Sequence, residues 1–348
     1  MNSIQSDSLA GRPDLTGAFP FPHVSDWAAD SALFALQGLK SNLVEAPSLV
    51  GEDFVHRVVR SDPILWQTTL LHPAVFAFLA KEPSPWTWEQ LSSEVIRDGD
   101  AIEIHDLRFW RRPGRHFREI LRSLGRGSRG SDCLDAEFIS PLSQEFTEYV
   151  SRAEKGLRLV EAVAPGYAAD LRHTVHGVAL VDQNASFRGS SGAIHRGLVF
   201  LSPDPSWDET AFAEELVHES THNLLDLLGL REPLLNGAAA FEEKYSSPFR
   251  PDLRHLFGNF HAIVVVARLL WLFSAFEANG IPGREPWRER AMDYLGKGSQ
   301  CLQGVREYQG LSDHASAIIE SFVVPTFCRF ASEIPSVPRV PTIEPECH

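Results

Sequence analysis

Cysteine is scarce in this chain: four in 348 residues, at Cys133, Cys301, Cys328 and Cys347, with no Cys-x-x-Cys pair. That spacing suggests neither a thiolate zinc site nor a disulfide framework, so the cysteines read as reduced thiols of a cytoplasmic protein. Positive charge is also short. Lys and Arg number 32 against 46 Asp and Glu, a net charge of −14, whereas a general binder of nucleic acid needs a basic footprint to displace phosphate counterions. No nucleic acid is therefore expected as a partner, and a cationic peptide or small molecule would be steered in more easily. Long hydrophobic runs are missing too. The longest, Ile263 to Phe276, is interrupted by Arg268 and is shorter than a bilayer span, so it reads as a buried helix and no membrane is expected. Residues 1–19 carry no basic segment followed by an apolar core, so no export signal is expected.

What is present is globular: 43% hydrophobic and 22% charged residues can bury one large core or two ordinary ones. Residues 1–25, rich in Ser, Gly, Asp and Pro, read as a flexible arm, and residues 26–165 as a helical N-terminal region. Within it, Asp26 to Leu43 and Asp53 to Ala80 have helical apolar spacing, Pro83-Ser84-Pro85 and Gly125 to Ser131 are breakers, and Gln144 to Val163 is an amphipathic helix. The pattern then changes. His176 to Val181 and Ala193 to Leu201 are short apolar runs bounded by Gly, Asn and Ser, the signature of strands. Residues 166–330 contain His218-Glu219-Ser220-Thr221-His222, a His-Glu-x-x-His run that makes them the expected metal-binding catalytic region, and the Pro-rich residues 331–348 form a tail. The resulting class is α+β, mainly helical, with a small sheet preceding a zincin-like metal-binding helix.

That helix is expected to begin near Trp207, because Ser206-Trp207-Asp208-Glu209 has the Ser-x-x-Glu form of a capping box, and to stop at Gly229. It carries His218-Glu219-Ser220-Thr221-His222. On a helix, this His-Glu-x-x-His run places two imidazoles one turn apart on one face, the spacing by which a protein grips a transition metal. Further helices are expected over Asp252 to Ala278, Glu285 to Gly304 and Ser312 to Phe327.

Two histidines do not complete a site, so the third ligand decides the chemistry. Glu242 follows His222 by 20 residues (242 − 222), which resembles the gluzincin peptidases, where a downstream helix gives zinc a glutamate. His261, in the apolar Phe260-His261-Ala262-Ile263, is the other candidate, although a histidine in such a helix is commonly a hydrogen-bonded core residue. Arg254, His261 and Arg268 are spaced by seven, which would place them on nearly one face of a helix. Buried arginines are costly without an anion; a carboxylate-bearing cosubstrate would supply it, and so would ordinary salt bridges. Asp226, one turn beyond His222, reads as an exposed helix acid or a buttress of an imidazole. His176 and His195, on or near the expected strands, read as core or loop histidines or as contacts of the site.

Four segments together resemble the HExxH-motif proteins of ribosomal-peptide biosynthesis. They are Leu198-Val199-Phe200-Leu201-Ser202-Pro203, Glu215-Leu216-Val217-His218-Glu219-Ser220-Thr221-His222-Asn223, Tyr245-Ser246-Ser247-Pro248-Phe249-Arg250-Pro251-Asp252-Leu253-Arg254 and Phe257-Gly258-Asn259-Phe260-His261-Ala262. Some members of that family are understood to be iron(II)- and 2-oxoglutarate-dependent oxygenases that use O2 to hydroxylate a β-carbon of a precursor peptide. The resemblance implies His218, His222 and His261 as Fe(II) ligands, with Arg254, Arg250 and Arg268 as candidates for holding 2-oxoglutarate and Arg254 the best match. The family usually has Trp where this chain has Phe249, and Pro-Arg-Pro-Leu where it has Leu253-Arg254-His255-Leu256. Losing both prolines loosens the segment and keeps the arginine. In an oxygenase Glu219 would orient a ligand or water; in the alternative, a zinc metallopeptidase with His218, His222 and Glu242, it would be the base that deprotonates metal-bound water. A third class is a peptide-binding protein whose metal merely staples the fold.

Overall fold

The computed structural model describes residues 101–104, 107–110, 121, 136–175, 177–185, 187–192, 197–231, 233–237, 240, 244–249, 253–283 and 285–333. The fold is mainly helical with a small mixed sheet, as the spacing of apolar residues implies. The expected arm, the helices before Pro83 and the expected tail beyond Glu333 lie outside the described residues; residues 331–333, expected to begin that tail, are helical instead. The chain divides into two compact units, one containing the described residues of 23–162 and 167–231, the other those of 163–166 and 232–348.

In the first unit the strands are β1 (Ala101–Ile104), β2 (Leu107–Trp110), β3 (Gly177–Leu180), β4 (Gly189–Ser190) and β5 (Leu198–Leu201), and the helices α1 (Gln144–Val163), α2 (Pro165–Thr174) and α3 (Glu209–Arg231). The sheet order is β1-β2-β3-β5-β4. Strands β2, β3 and β5 run parallel, with Gly177 opposite Leu198 and Leu180 opposite Leu201, while β1 and β4 are antiparallel edges. Because β3 and β5 are buried on both faces, they read as continuous apolar runs rather than alternating ones. Their side chains nonetheless alternate in space. Val178, Leu180, Val199 and Leu201 join one core with Phe146, Tyr149, Val150, Ala153 and Leu157 of α1 and Ala211, Phe212 and Leu216 of α3. Ala179, Leu198 and Phe200 face the other way, with Trp110 and Leu121.

The expected span of α1 matches the observed one at both ends, and the reason is local: Ser143 Oγ accepts from Phe146 N at 3.1 Å, a side-chain cap. At α3 the cap differs from expectation. Ser206 turns its hydroxyl to Asp204, and Asp208 caps the helix instead, its Oδ1 accepting from Thr210 N (3.0 Å) and Ala211 N (2.9 Å). The helix also runs through Gly229 to Arg231; Gly229 is not among the positive-φ glycines, so it supplies no left-handed stop.

The second unit begins with the hairpin β6 (Lys244–Tyr245) and β7 (Arg254–His255), with Tyr245 opposite Arg254. It continues as α4 (Leu256–Ala278), α5 (Trp287–Arg306), α6 (Asp313–Ile318), a π-helical turn (Ile319–Val323) and α7 (Val324–Glu333). Helix α4 is 23 residues long and, by length and composition alone, apolar enough to cross a membrane, but 89% of its most apolar window is buried inside the protein. It ends where Gly280, at φ 65°, turns the chain left-handed. The expected single helix over Ser312 to Phe327 starts correctly, since Ser312 Oγ accepts from Ala315 N at 3.1 Å. It is interrupted in the middle by the π turn, where Val324 N donates to Ile319 O, and Pro325, which has no N–H to give Ser321, follows directly.

Close approach of α1 to α3 depends on Gly156: a Cβ there would lie 2.6 Å from Glu209 O and 2.9 Å from Ala213 N, both backbone atoms that cannot rotate away. Gly156→Ala is therefore expected to cost about 1–3 kcal/mol of stability by overpacking, read as a lower urea midpoint at unchanged slope; an unchanged midpoint would contradict this packing.

Candidate metal centre

Helix α3 follows β5 through a short loop that is fixed from several sides. Ser202 N donates to Arg188 O at 2.8 Å, Ser202 Oγ donates to Asp182 O at 2.6 Å, and Arg152 Nη1 donates to the carbonyls of Pro205 and Trp207, each at 2.8 Å. The helix is enclosed well beyond the apolar face that Phe212, Leu216, Leu224, Leu225 and Leu228 form beside the histidines. From Thr210 to Leu228 every position is buried except His218 and His222. The two imidazoles are thus the points at which this helix opens outward, with the His218 side chain 32% exposed.

Their geometry is specific. Nε2 of His222 lies 3.2 Å from Nε2 of His218, with ring centroids 5.0 Å apart. Two nitrogens bound at about 2.0–2.1 Å to one ion, at angles between octahedral and tetrahedral, stand about 2.8–3.4 Å apart, so the pair fits two ligands of a single ion. Imidazole nitrogen suits zinc and iron alike. Among the described residues no group of three or more His, Cys, Asp or Glu side chains is gathered for a metal.

Glu219 is buried and anchored. Ser191 Oγ donates to Glu219 Oε2 and lies 3.2 Å from the Glu219 carbonyl oxygen, and Glu219 Oε1 is 4.0 Å from His218 Nε2. The edge strand β4 makes this possible. A Cβ at Gly189 would strike Glu219 Oε1 and lie 3.0 Å from its Cγ and Cδ, so only glycine lets the carboxylate rest on the strand. The other end of the β4 segment is tied to the same helix by Arg188, whose Nη2 is 3.0 Å from Glu215 Oε1 and whose guanidinium also lies 5.0 Å from the Trp207 ring. On the far side of His222, Asn223 Oδ1 accepts from Gly197 N at 3.2 Å and fixes the start of β5; Asn223 Nδ2, fully buried, has no hydrogen-bond partner.

Sequence reasoning missed this strap, because two residues of β4 leave no periodic signal. Asp226, read as an exposed helix acid or a buttress of an imidazole, is buried, and so is Glu214. Glu214, His218, His222 and Asp226 recur every four residues, so the histidine pair has a buried carboxylate one turn before it and another one turn after.

Arg254, His261 and Arg268 belong to the second unit. Arg254 lies on β7, not on the helix, so the three do not form a ladder along α4; His261 and Arg268, both within α4, keep the seven-residue spacing. His261 is buried, its ring centroid 4.2 Å from that of Phe257. Burial, with the Arg254 charge added, pushes its pKa down to about 3, so it is a neutral imidazole, the form that ligates metals. Arg268 is fully enclosed in the middle of α4. Arg250, Glu242, His176 and His195 lie outside the described residues. The chain matches no protein-family profile and no curated protein.

Gly189→Ala is expected to dislodge the Glu219 carboxylate and weaken metal binding by about 10–100-fold, the usual effect of losing an orienting group, with little change in melting temperature. Competition with a chelating dye measures it, and wild-type affinity in a folded variant would show that Glu219 does not support the centre.

Proposed function

We propose that this protein is an iron(II)- and 2-oxoglutarate-dependent oxygenase that hydroxylates a side-chain β-carbon of a ribosomally made peptide in the cytoplasm. The observation that carries the reading is the convergence of two Nε2 atoms at 3.2 Å beside a glutamate already engaged by Ser191. A hydrolytic base must be free to take a proton from metal-bound water. Glu219, buried against Gly189 and hydrogen-bonded, is better suited to orienting what binds at the histidines.

In this reading His218 and His222 hold the metal from one turn of α3, and the resemblance to HExxH-motif proteins supplies His261 as the third nitrogen ligand. Three nitrogens leave coordination positions for a chelating 2-oxo acid and for O2. When bound, iron(II) with 2-oxoglutarate and O2 supplies the oxidant, the cosubstrate being decarboxylated to succinate and CO2 while the second oxygen atom goes to the peptide carbon. The chain's own tasks are to hold, orient and exclude. Burial of α3 keeps water from the helix on every side but the histidines, and Arg254 offers a cation for the cosubstrate carboxylate. The acidic balance of the chain favours a peptide carrying positive charge.

Two experiments decide between this reading and the zinc peptidase. Anaerobic iron(II) reconstitution followed by 2-oxoglutarate is expected to give the weak visible charge-transfer band of a chelated 2-oxo acid; stoichiometric zinc in the purified protein, no band and cleavage of a peptide would overturn the oxygenase reading. Separately, His261→Ala is expected to abolish tight metal binding while Glu242→Ala leaves it largely intact, as measured by metal content after dialysis; the reverse outcome would assign the third ligand to Glu242.

A further inference from the structure

Helices α4, α5 and α7 of the second unit pack against one another. Where the C-terminal ends of α4 and α7 meet the start of α5, they leave a groove of about 350 Å³ that is open to solvent. Its lining is largely aromatic, with Phe273, Trp287 and Phe330. The Phe273 and Trp287 rings lie 5.4 Å apart and 18° from parallel, and Trp287 Nε1 donates to Ile281 O at 2.7 Å. That bond uses the indole N–H and holds the ring, so the groove offers an occupant ring faces rather than a donor. Charge at the lip is paired: Glu277 lies 3.3 Å from Arg288 and Glu333 lies 2.9 Å from Arg329. Arg290 already stands 5.2 Å from the Phe273 ring centroid. A cationic side chain would find these positions taken, and the surface left to cover is apolar. A space of this size is near the lower limit of clefts that hold a small molecule and admits a few side chains, not a folded partner.

The chain itself supplies an occupant of that kind. Glu333 both lines the groove and ends α7, so Ile334 follows directly from the lip. The sequence from there has a period of three. Ile334, Val337, Val340 and Ile343 form one series, Pro335, Pro338 and Pro341 a second, and Ser336, Arg339 and Thr342 a third. Three residues per turn is the period of the polyproline II helix, on which these series are three edges, two apolar and one polar. Proline at every third position removes the N–H groups that an α-helix or a central strand would need. A polyproline II segment has little entropy to lose, and aromatic-lined grooves are the surfaces that bind such segments. Its length suffices. Residues 334–340 would span about 19 Å at about 3.1 Å per residue, against roughly 8–10 Å between the axes of packed helices. Attachment at the lip also gives the segment an effective concentration on the order of 1 mM, so a weak contact is enough.

We propose that residues 334–343 bind this groove in the same chain as a polyproline II helix. The valine and proline edges lie against Phe273, Trp287 and Phe330, and the edge of Ser336, Arg339 and Thr342 faces water. The groove is thus a docking surface for the chain's own segment, and it does not depend on the metal chemistry.

Trypsin digestion of the full chain under native conditions tests this at the bond after Arg339, because a docked segment is cut only while it is open. The cleavage rate, read by mass spectrometry, is compared with that of a synthetic peptide of residues 331–348 carrying the same sequence. For an intrinsic Kd of about 0.1 mM and an effective concentration of about 1 mM, the wild-type chain is expected to be cut about tenfold more slowly than its peptide. Val337→Ser/Val340→Ser, which alters only the segment, is expected to bring chain and matching peptide within about twofold. Ser274→Gln, which lengthens a partly exposed side chain of the groove, is expected to do the same. Circular dichroism checks that this variant folds, and the double valine variant decides the matter if it does not. Equal rates for the wild-type chain and its peptide would overturn the proposal, as would protection that survives either substitution. Protection lost on dilution of the wild-type chain would put the segment in a second copy and overturn docking within one chain.

Discussion

Burial of α3 is the constraint on which the candidate centre depends. A helix enclosed from Thr210 to Leu228, but carrying Glu214, Glu219, Ser220, Thr221, Asn223 and Asp226 within that stretch, must satisfy each polar group internally, since a buried polar atom left unmet costs on the order of 1–3 kcal/mol. Ser220 and Thr221 do so by donating back to Val217 O, at 3.0 and 2.6 Å. Glu219 does so through Ser191, and Asn223 does so at its Oδ1 through Gly197 N, its Nδ2 being an exception. The bonds to Ser191 and Gly197, which reach outside the helix, fix its rotation about its axis. Once that rotation is fixed, the only direction open to His218 and His222 is outward, together.

The short edge strand β4 is the other half of the same arrangement. It is bound at Arg188 to Glu215 and at Ser191 to Glu219, so the strand and the helix position each other to either side of His218. Without a side chain at Gly189 the glutamate can lie flat against the strand, its carboxylate held in place by Ser191. In the second unit the local logic is different. There α4 buries His261 and Arg268 along one apolar helix, and the preceding hairpin lays Arg254 across its first turn, concentrating positive charge where the helix dipole already supplies some.

Much of this was legible in the residue pattern. The limits of α1 follow from its amphipathic stripe and its serine cap, and the strand leading into α3 follows from a continuous apolar run ending in Ser202-Pro203. The departures have physical causes. Asp208 outcompetes Ser206 as a cap because Asp204 engages the Ser206 hydroxyl, a contest between neighbours that a four-letter motif does not encode. The seven-residue spacing of Arg254 assumed that α4 begins earlier than Leu256; the hairpin pairing of Tyr245 with Arg254 takes that residue into a strand. Burial of Glu214 and Asp226 was invisible because acids on a helix ordinarily face water, and β4 was invisible because two residues have no period.

Joint ligation of one metal ion by His218 and His222 is the claim on which the proposed chemistry stands. Crystals of iron(II)-loaded protein, grown and measured anaerobically, test it through anomalous scattering at the iron edge. A single strong peak about 2.0–2.1 Å from both Nε2 atoms is the expected result. A peak elsewhere, or metal bound in solution with no anomalous density between the two imidazoles, would contradict it.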